Sequence, residues 1–300
     1  MTDETPDEIP DEISDDGGST ISWRELLRET EALVGEPRHA RWICETATSS
    51  TPTEFLSMLE SPATERAVAH LDAMVTRARQ GEPVQYVLGS WGFRRLDLVV
   101  DQRVLIPRPE TELLVELALT RARRVEPTRT LVDLGTGSGA IGLALADELP
   151  LDGTTVWITD ASLDALDVAR ANLAGIGRSA TNVRVAHGSW FDALPADLLA
   201  DVIVSNPPYV AVGTPELDPS VADWEPTSAL LAGTDGLDEI RTIVTGAPHH
   251  LVASGWLLVE HGHDQGDAVR ALFGDANLSD VATHRDLAGH ERVTLGRRPR

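Results

Sequence analysis

Four consecutive residues, Asn206, Pro207, Pro208 and Tyr209, have the chemistry to hold a planar amino group. They follow residues 201–205, whose apolar centre Val202-Ile203-Val204 is typical of a buried strand. Open parallel sheets bind ligands beyond the carboxyl ends of their strands. The two prolines stiffen the loop and remove two N–H donors, so its carbonyls remain free to accept. One N–H of an –NH2 group would donate to the Asn206 side-chain oxygen and the other to the Pro207 carbonyl, while Tyr209 packs on the flat face. The segment predicts a clamp that aims a nitrogen lone pair at an electrophile; a proline-rich turn with a packing tyrosine is the structural alternative.

A glycine-rich turn earlier in the chain predicts a cofactor site. After the strand-like residues 131–134, this turn consists of Gly135, Thr136, Gly137, Ser138 and Gly139. Glycines permit close approach of a ligand, and the N-terminus of the helix that follows attracts polar or anionic groups. Asp160, at the end of the next strand, is placed to accept hydrogen bonds from ribose hydroxyls, or else it caps the following helix. These residues fit a methyl donor or a hydride carrier equally, because Gly142 completes a dinucleotide fingerprint. Residues 206–209 favour the methyl donor, since hydride transfer requires no amino-group clamp.

Short apolar strands alternate with helical stretches from about residue 130 onward. Such alternation predicts a mostly parallel, doubly wound α/β sheet with helices on both faces. The last two strand-like pieces, near residues 279–284 and 292–296, have no crossover helix between them. We therefore expect them to form an antiparallel hairpin at one edge of the sheet.

The first third of the chain differs from the rest in composition and in the periodicity of its apolar residues. Residues 1–20 are acidic and poor in apolar side chains, which predicts a disordered tail. Ser22 and Glu25 have the spacing of a helix capping box, and helical periodicity continues to about residue 88. Residues 91–106 are strand-like, with Asp101-Gln102 as the expected turn of a β-hairpin. We expect a helical domain at 21–90, a hairpin linker at 91–107 and a catalytic domain at 108–300.

The composition narrows the classes of function. The formal net charge is −23, so avid nonspecific binding to nucleic acid is not expected. The sequence has no apolar run long enough to span a membrane and no signal peptide. Cys44 is the only cysteine, which predicts a small buried residue in a protein of the reducing cytoplasm. All strong cations are arginines, because the chain contains no lysine.

The glycine turn, Asp160 and residues 206–209 resemble class I S-adenosylmethionine-dependent methyltransferases that act on amino groups. More narrowly, residues 22–297 resemble the release-factor glutamine N5-methyltransferases, the HemK/PrmC family. The matching stretches are residues 81–83 with 89, 105–112, 133–142, 190–191, 205–209, 225–226 with 229–230, 260–262 and 292–293. Residues 206–209 are shared with enzymes that methylate nucleic acids or a ribosomal protein, so residues 106–112 are the more specific part of the likeness.

The resemblance implies a seven-stranded catalytic sheet preceded by a small helical domain and a linking hairpin. It also implies that the cofactor is S-adenosylmethionine, with S-adenosylhomocysteine as product. The residues that contact the cofactor in this family correspond to the glycine turn, Asp160, Trp190 and Asn206. The alternative interpretation of Trp190 is an aromatic residue of the core. The implied partner is a class I peptide chain release factor, methylated on the glutamine of its Gly-Gly-Gln loop. A monomer is expected, with no membrane or stable nucleic-acid partner and no metal.

Three alternatives stay open from the sequence. A nucleic-acid amino methyltransferase would share the clamp, although a basic face would be expected of it. A methyltransferase for a ribosomal-protein glutamine is closer, and residues 106–112 argue against it. A noncatalytic binding protein or an NAD-dependent oxidoreductase is the third.

Other conspicuous residues predict structural roles. His249-His250 has no carboxylate or cysteine at metal-ligand spacing, and we expect it at a helix end. Glu260-His261-Gly262-His263 is expected to end a strand near the crevice, where its residues are buried or support a loop; a catalytic base is the alternative. Glu110 and Glu112 are expected to start a helix, or to support the clamp or the hairpin.

Overall fold

The fold is described from a computed structural model, which covers residues 21–125, 128–214 and 219–300. The acidic tail predicted to be disordered, residues 1–20, lies outside the described residues. The described chain forms two compact units, divided between Gln80 and Gly81. Among the described residues, the helices are all too short or too polar to cross a membrane.

The first unit is helical. Its helix α1 begins after Ser22, whose hydroxyl accepts the Glu25 N–H while the Glu25 carboxylate accepts the Ser22 N–H, so the predicted capping box is confirmed. The core includes Trp23, which packs edge-on against Phe55 with ring centroids 6.0 Å apart, and the fully buried Cys44. The helices are α1 (Trp23–Val34), α2 (Pro37–Thr48), α3 (Pro52–Ser57) and α4 (Glu65–Arg79).

The second unit begins with a short helix and the predicted hairpin, but the turn of that hairpin was placed wrongly. Its elements are α5 (Val84–Leu88), β1 (Ser90–Phe93) and β2 (Leu96–Val99). The chain reverses at Arg94-Arg95 and not at Asp101-Gln102. Arg94 has a φ of 51°, and it is held there because its N–H donates to Glu112 (3.0 Å) and its guanidinium pairs with Glu148. These distant partners stabilise a turn whose sequence, Arg94-Arg95, lacks the Asn-Gly dipeptide that is typical of two-residue hairpin turns.

The seven-stranded sheet confirms the predicted α/β class. Its strands are β3 (Arg129–Leu134), β4 (Thr154–Asp160), β5 (Val183–His187), β6 (Ala200–Ser205), β7 (Leu251–Glu260), β8 (Ser279–Arg285) and β9 (Glu291–Arg297). The spatial order is β5-β4-β3-β6-β7-β9-β8, in which β3 to β7 are parallel and β9 is antiparallel to both neighbours. The expected antiparallel hairpin at one edge is therefore confirmed.

Helices cover both faces of this sheet. Along β3, Leu131 packs with the core of α6 and α7, while the next residue, Val132, packs with the core of α10 and α11 on the other face. Strands buried on both faces explain the continuous apolar runs in the sequence. The helices are α6 (Glu112–Ala122), α7 (Ala140–Glu148), α8 (Leu163–Ile176), α9 (Pro219–Trp224), α10 (Asp238–His250) and α11 (Gly266–Asp275).

Candidate active site

The glycine turn joins β3 to α7 in a conformation that its residue types require. Gly135, Gly137 and Gly139 have φ values of 71°, 55° and 88°, a region that side chains with a Cβ rarely occupy. At Gly142, an added Cβ would lie 2.2 Å from the Ile158 side chain, so α7 starts directly against β4. The turn therefore brings the N–H groups at the start of α7 to the carboxyl edge of the sheet.

Asp133 stabilises this turn from below. Its Oδ2 accepts the Thr136 hydroxyl at 2.5 Å and the Gly142 N–H at 2.9 Å. The side chain is completely buried, and burial raises the pKa of Asp133 to about 7. Its Oδ1 has no hydrogen-bond partner among the described residues. From the sequence, Asp133 was placed in a strand and in a stretch that resembles the family, but no role was predicted for its side chain.

Asp160 serves two neighbouring segments at once. Its Oδ2 accepts the Gly137 N–H at 2.9 Å, and its Oδ1 accepts the Ser162 N–H, also at 2.9 Å. Ser162 in turn caps α8 by accepting the Ala165 N–H. Asp160 therefore does not cap α8 itself, because Ser162 is the N-cap residue, and Asp160 acts by fixing the Ser162 backbone. Each carboxylate oxygen of Asp160 retains acceptor capacity for a ligand hydroxyl.

Trp190 lies against the glycine turn. Its indole N–H donates to Glu239 at 2.8 Å, and a Cβ added at Gly135 would lie 3.1 Å from the ring. Its φ of 46° is unusual for a bulky residue and marks a constrained position. Glu239 was missed, because an acid in the first turn of α10 is ordinary and nothing in the sequence links it to Trp190.

These segments surround a cavity of about 290 Å³. Three of the predicted site residues, Gly139, Pro207 and Tyr209, are not part of its lining. The other predicted residues all line it: Gly135, Thr136, Gly137, Ser138, Asp160, Trp190, Asn206 and Pro208. The structure thus brings the glycine turn, the acid of β4 and the loop after β6 to one site.

Asn206 and Tyr209 are held from behind by residues far away in the chain. The Asn206 Nδ2 donates to the Thr111 hydroxyl at 3.3 Å, while Asn206 Oδ1 is buried and has no partner among the described residues. The Tyr209 hydroxyl lies 3.4 Å from Glu260 Oε1, and the Tyr209 carbonyl accepts from Gln265 at 3.0 Å. Thr111, Glu260 and Gln265 were not predicted as partners of this loop.

Residues 105–112 are anchored beside the cavity. Glu225, which is only 4% exposed, accepts the Ile106 N–H at 3.2 Å and pairs with Arg108. Glu112 supports the hairpin turn through Arg94, one of the roles foreseen for it. Two segments that the sequence singled out, 105–112 and 225–226, therefore stabilise each other.

His261 has a supporting role. Its Nε2 lies 2.8 Å from the Thr294 hydroxyl, and its Nδ1 lies 2.8 Å from the Gly262 carbonyl. Burial lowers the pKa of His261, which keeps the ring neutral between these partners. His250 stacks on Phe191 at the end of α10, with ring centroids 4.5 Å apart. Both histidines lie where the sequence analysis expected them.

The sheet order, the glycine turn and the acid at the end of β4 define the class I S-adenosylmethionine-dependent methyltransferases. A methyltransferase from Pyrococcus furiosus shares this fold, with a TM-score of 0.50 and 17% identity over 68% of this chain and 90% of that one. Residues 22–89 match the PrmC N-terminal domain, and residues 109–220 match the methyltransferase small domain.

Curated relatives narrow the class to one family. The release factor glutamine methyltransferase of Xylella fastidiosa (strain Temecula1) is 47% identical over 238 residues, which are 79% of this chain and 84% of that protein. The release factor glutamine methyltransferase of Escherichia coli K12 is 40% identical over 274 residues, which are 91% of this chain and 96% of that protein. The chain belongs to the release factor glutamine methyltransferase family.

Proposed function

We propose that this protein transfers a methyl group from S-adenosylmethionine to the side-chain N5 of the glutamine in the Gly-Gly-Gln loop of class I release factors. The observation that supports this most directly is the hydrogen bonding of the Asn206 side chain. Its amide lines the cavity, its Nδ2 donates to Thr111, and its Oδ1 is a buried acceptor for which the described part of the chain offers no donor. A buried acceptor of this kind is costly unless a donor reaches it, and a primary amide supplies such a donor.

The residues around the cavity fit S-adenosylmethionine. The turn 135–139 offers glycine backbone at the start of α7, Asp160 offers acceptors for ribose hydroxyls, and Trp190 offers an aromatic face for adenine. Glu239 fixes that face by accepting the indole N–H. When bound, this cofactor supplies a methyl group on a positively charged sulfur.

The loop 206–209 prepares the glutamine nitrogen for attack. Asn206 Oδ1 and the Pro207 carbonyl each accept one amide N–H, and Tyr209 holds the π-face. An amide nitrogen is a weak nucleophile because its lone pair is conjugated with the carbonyl, and holding it in a near-attack geometry can supply about 7–11 kcal/mol. The two acceptors also favour the positive charge that develops on nitrogen, which then loses a proton readily.

The remaining assignments follow from this substrate. We assign recognition of the rest of the release factor to the helical domain (residues 21–90), followed by the hairpin linker (91–107) and the catalytic domain (108–300). The reaction belongs in the cytoplasm, because its protein substrate works there in translation termination. The net charge of −23 disfavours free nucleic acid as a competing substrate. We propose a monomer as the working form.

Mass spectrometry of a class I release factor after incubation with the protein and S-adenosylmethionine tests the proposal. We expect one added methyl group on the loop glutamine and none when that glutamine is replaced by alanine. Asn206→Ala is expected to raise the barrier by about 2–4 kcal/mol, the effect of losing one preorganised contact. Tyr209→Ala is expected to slow transfer less.

The parallel substrates are adenine-containing DNA and a ribosomal protein that carries a methylatable glutamine. Methylation of either one without methylation of the release factor would contradict the substrate assignment while sparing the clamp. Full activity of Asn206→Ala, with folding verified by its melting temperature, would contradict the clamp itself.

A further inference from the structure

The loop 206–209 is restrained by its own sequence in its first half and not in its second. Proline fixes φ at positions 207 and 208, and a residue that precedes proline is restricted to extended backbone, so Asn206 and Pro207 are set locally. The ψ of Pro208 and both dihedrals of Tyr209 have no such restraint. The ring that the clamp places on the substrate amide therefore needs a partner elsewhere in the fold.

The turn between β7 and α11 contacts Tyr209 at both of its polar ends. The Tyr209 carbonyl accepts a hydrogen bond from Gln265 Nε2 at 3.0 Å, and the Tyr209 hydroxyl lies 3.4 Å from Glu260 Oε1. Glu260 is the last residue of β7, the strand beside β6, and Gln265 is the N-cap residue of α11. Because Gln265 contacts the backbone, it sets the position from which the Tyr209 ring projects.

The orientation of the Gln265 carboxamide is fixed by its surroundings. Its Oε1 accepts the Gly262 N–H at 2.8 Å, so its –NH2 group faces the other way. On that side, Nε2 lies 3.0 Å from the Tyr209 carbonyl oxygen and 3.3 Å from the Gly236 carbonyl oxygen. An amide has two N–H donors and one carbonyl acceptor, and a flipped Gln265 would place carbonyl against carbonyl. The donor is therefore held toward Tyr209.

Gly236 shows how closely these segments approach. Its φ is 73°, and an added Cβ would lie 2.4 Å from the Tyr209 carbonyl oxygen and 2.8 Å from Gln265 Nε2. The absence of a side chain at this position lets the Tyr209 carbonyl and the Gln265 amide meet. Gly236 lies two residues before α10, whose Glu239 accepts the indole N–H of Trp190. The contact thus lies where the end of the loop 206–209 meets the segment that leads into α10.

We propose that Gln265 is a positioning residue, which holds the Tyr209 backbone so that the ring covers the flat face of the bound amide. Gln265 does not line the cavity, so its effect on methyl transfer passes through Tyr209. The inference rests on the proposed function, because the Tyr209 ring must act on the substrate amide. It gives a role to the turn that follows Glu260, which the transfer mechanism leaves unused.

The tyrosine content of the chain offers a direct view of this ring, because Tyr86 and Tyr209 are its only tyrosines. In NMR spectra of protein isotope-labelled in its tyrosine rings, the Tyr209 signal is the one that Tyr209→Ala removes. Tyr86, which is 1% exposed and donates to the Val104 carbonyl at 2.6 Å, is the internal control. Gln265→Met keeps the length of the side chain and removes its amide. We expect it to shift the Tyr209 signal and to leave the Tyr86 signal in place.

The spectra can contradict the inference in two ways. A Tyr209 signal that stays in place in Gln265→Met would overturn it, because the ring would then not depend on Gln265. A Tyr86 signal that moves together with the Tyr209 signal would also overturn it, because Gln265 would then support the fold as a whole.

Methyl transfer to a release factor tests the consequence through a double-mutant cycle of Gln265→Met and Tyr209→Ala. We expect Gln265→Met to lower kcat by about two- to tenfold, the range that one net hydrogen bond supplies. S-adenosylmethionine affinity, measured by calorimetry, should stay unchanged. Because Gln265 acts through the Tyr209 ring, Gln265→Met should slow the Tyr209→Ala variant no further. Equal slowing in both backgrounds, or a wild-type kcat in Gln265→Met, would overturn the inference.

A failure of the proposed function gives a different result. If the wild type transfers no methyl group to the release factor, the function is contradicted, while the Tyr209 signal still shows whether Gln265 holds the ring. Full activity of Tyr209→Ala would overturn the inference and leave the role of Asn206 in the clamp standing.

Gln265→Glu is the second variant if Gln265→Met does not fold. Its carboxylate keeps an acceptor for the Gly262 N–H, but it meets the Tyr209 carbonyl without a proton. We expect the same shift of the Tyr209 signal and a lower kcat. Asp267→Asn is the matched control for the change of charge, because Asp267 is an exposed acid of α11 that pairs with Arg270, and it should have a wild-type kcat. A wild-type kcat and an unmoved Tyr209 signal in Gln265→Glu would overturn the inference.

Discussion

The Gly137 N–H donates to Asp160 Oδ2 at 2.9 Å, and this bond joins the glycine turn to the end of the neighbouring strand. Since Asp160 Oδ1 also accepts the Ser162 N–H, one carboxylate fixes two of the segments that line the cavity. An acid that builds the site in this way is also the acid proposed to bind the ribose. Its replacement should therefore affect stability and cofactor affinity together.

Asp160→Ala is expected to weaken S-adenosylmethionine binding by about 1.5–3 kcal/mol, the contribution of a hydrogen bond to a charged group. The melting temperature should also fall, because two backbone N–H groups lose their acceptor. Calorimetry well below the melting temperature measures the affinity. Asp167→Ala is the matched control, because Asp167 is an exposed acid of α8 that pairs with Arg170. Equal affinities for Asp160→Ala and the wild type would contradict the ribose assignment.

Glu239→Ala is expected to weaken cofactor binding by about 1 kcal/mol, because the indole N–H of Trp190 loses its acceptor and the ring loses its fixed orientation. Glu239→Gln retains an acceptor oxygen and should lose less. Quenching of tryptophan fluorescence on titration with S-adenosylmethionine gives both affinities. If Glu239→Ala and Glu239→Gln are weakened equally, the charge of Glu239 acts on the cofactor more than its hydrogen bond to Trp190 does.

Local sequence was enough to predict the main parts of the site. Glycines at 135, 137 and 139 adopt the positive φ values that favour glycine, and the loop 206–209 follows a strand as its position required. The supporting contacts could not be predicted, because they join residues such as Thr111 and Asn206 that lie 95 positions apart. The position of the hairpin turn was predicted wrongly for the same reason. Glu112 and Glu148 hold Arg94 in a conformation that its own residue type does not favour.

Stability should fall as pH rises from about 4 to about 7. Burial raises the pKa of Asp133 to about 7, above the value of about 3.9 expected in an unfolded chain. Folding therefore favours the protonated form, and the stability that this adds is present at low pH and lost as pH rises toward 7. Asp133→Asn keeps an acceptor for Thr136 and Gly142 without the charge, so its stability relative to the wild type should increase between about pH 4 and pH 7 and then level off. Urea unfolding across this range measures the difference, and a constant difference would contradict the assignment.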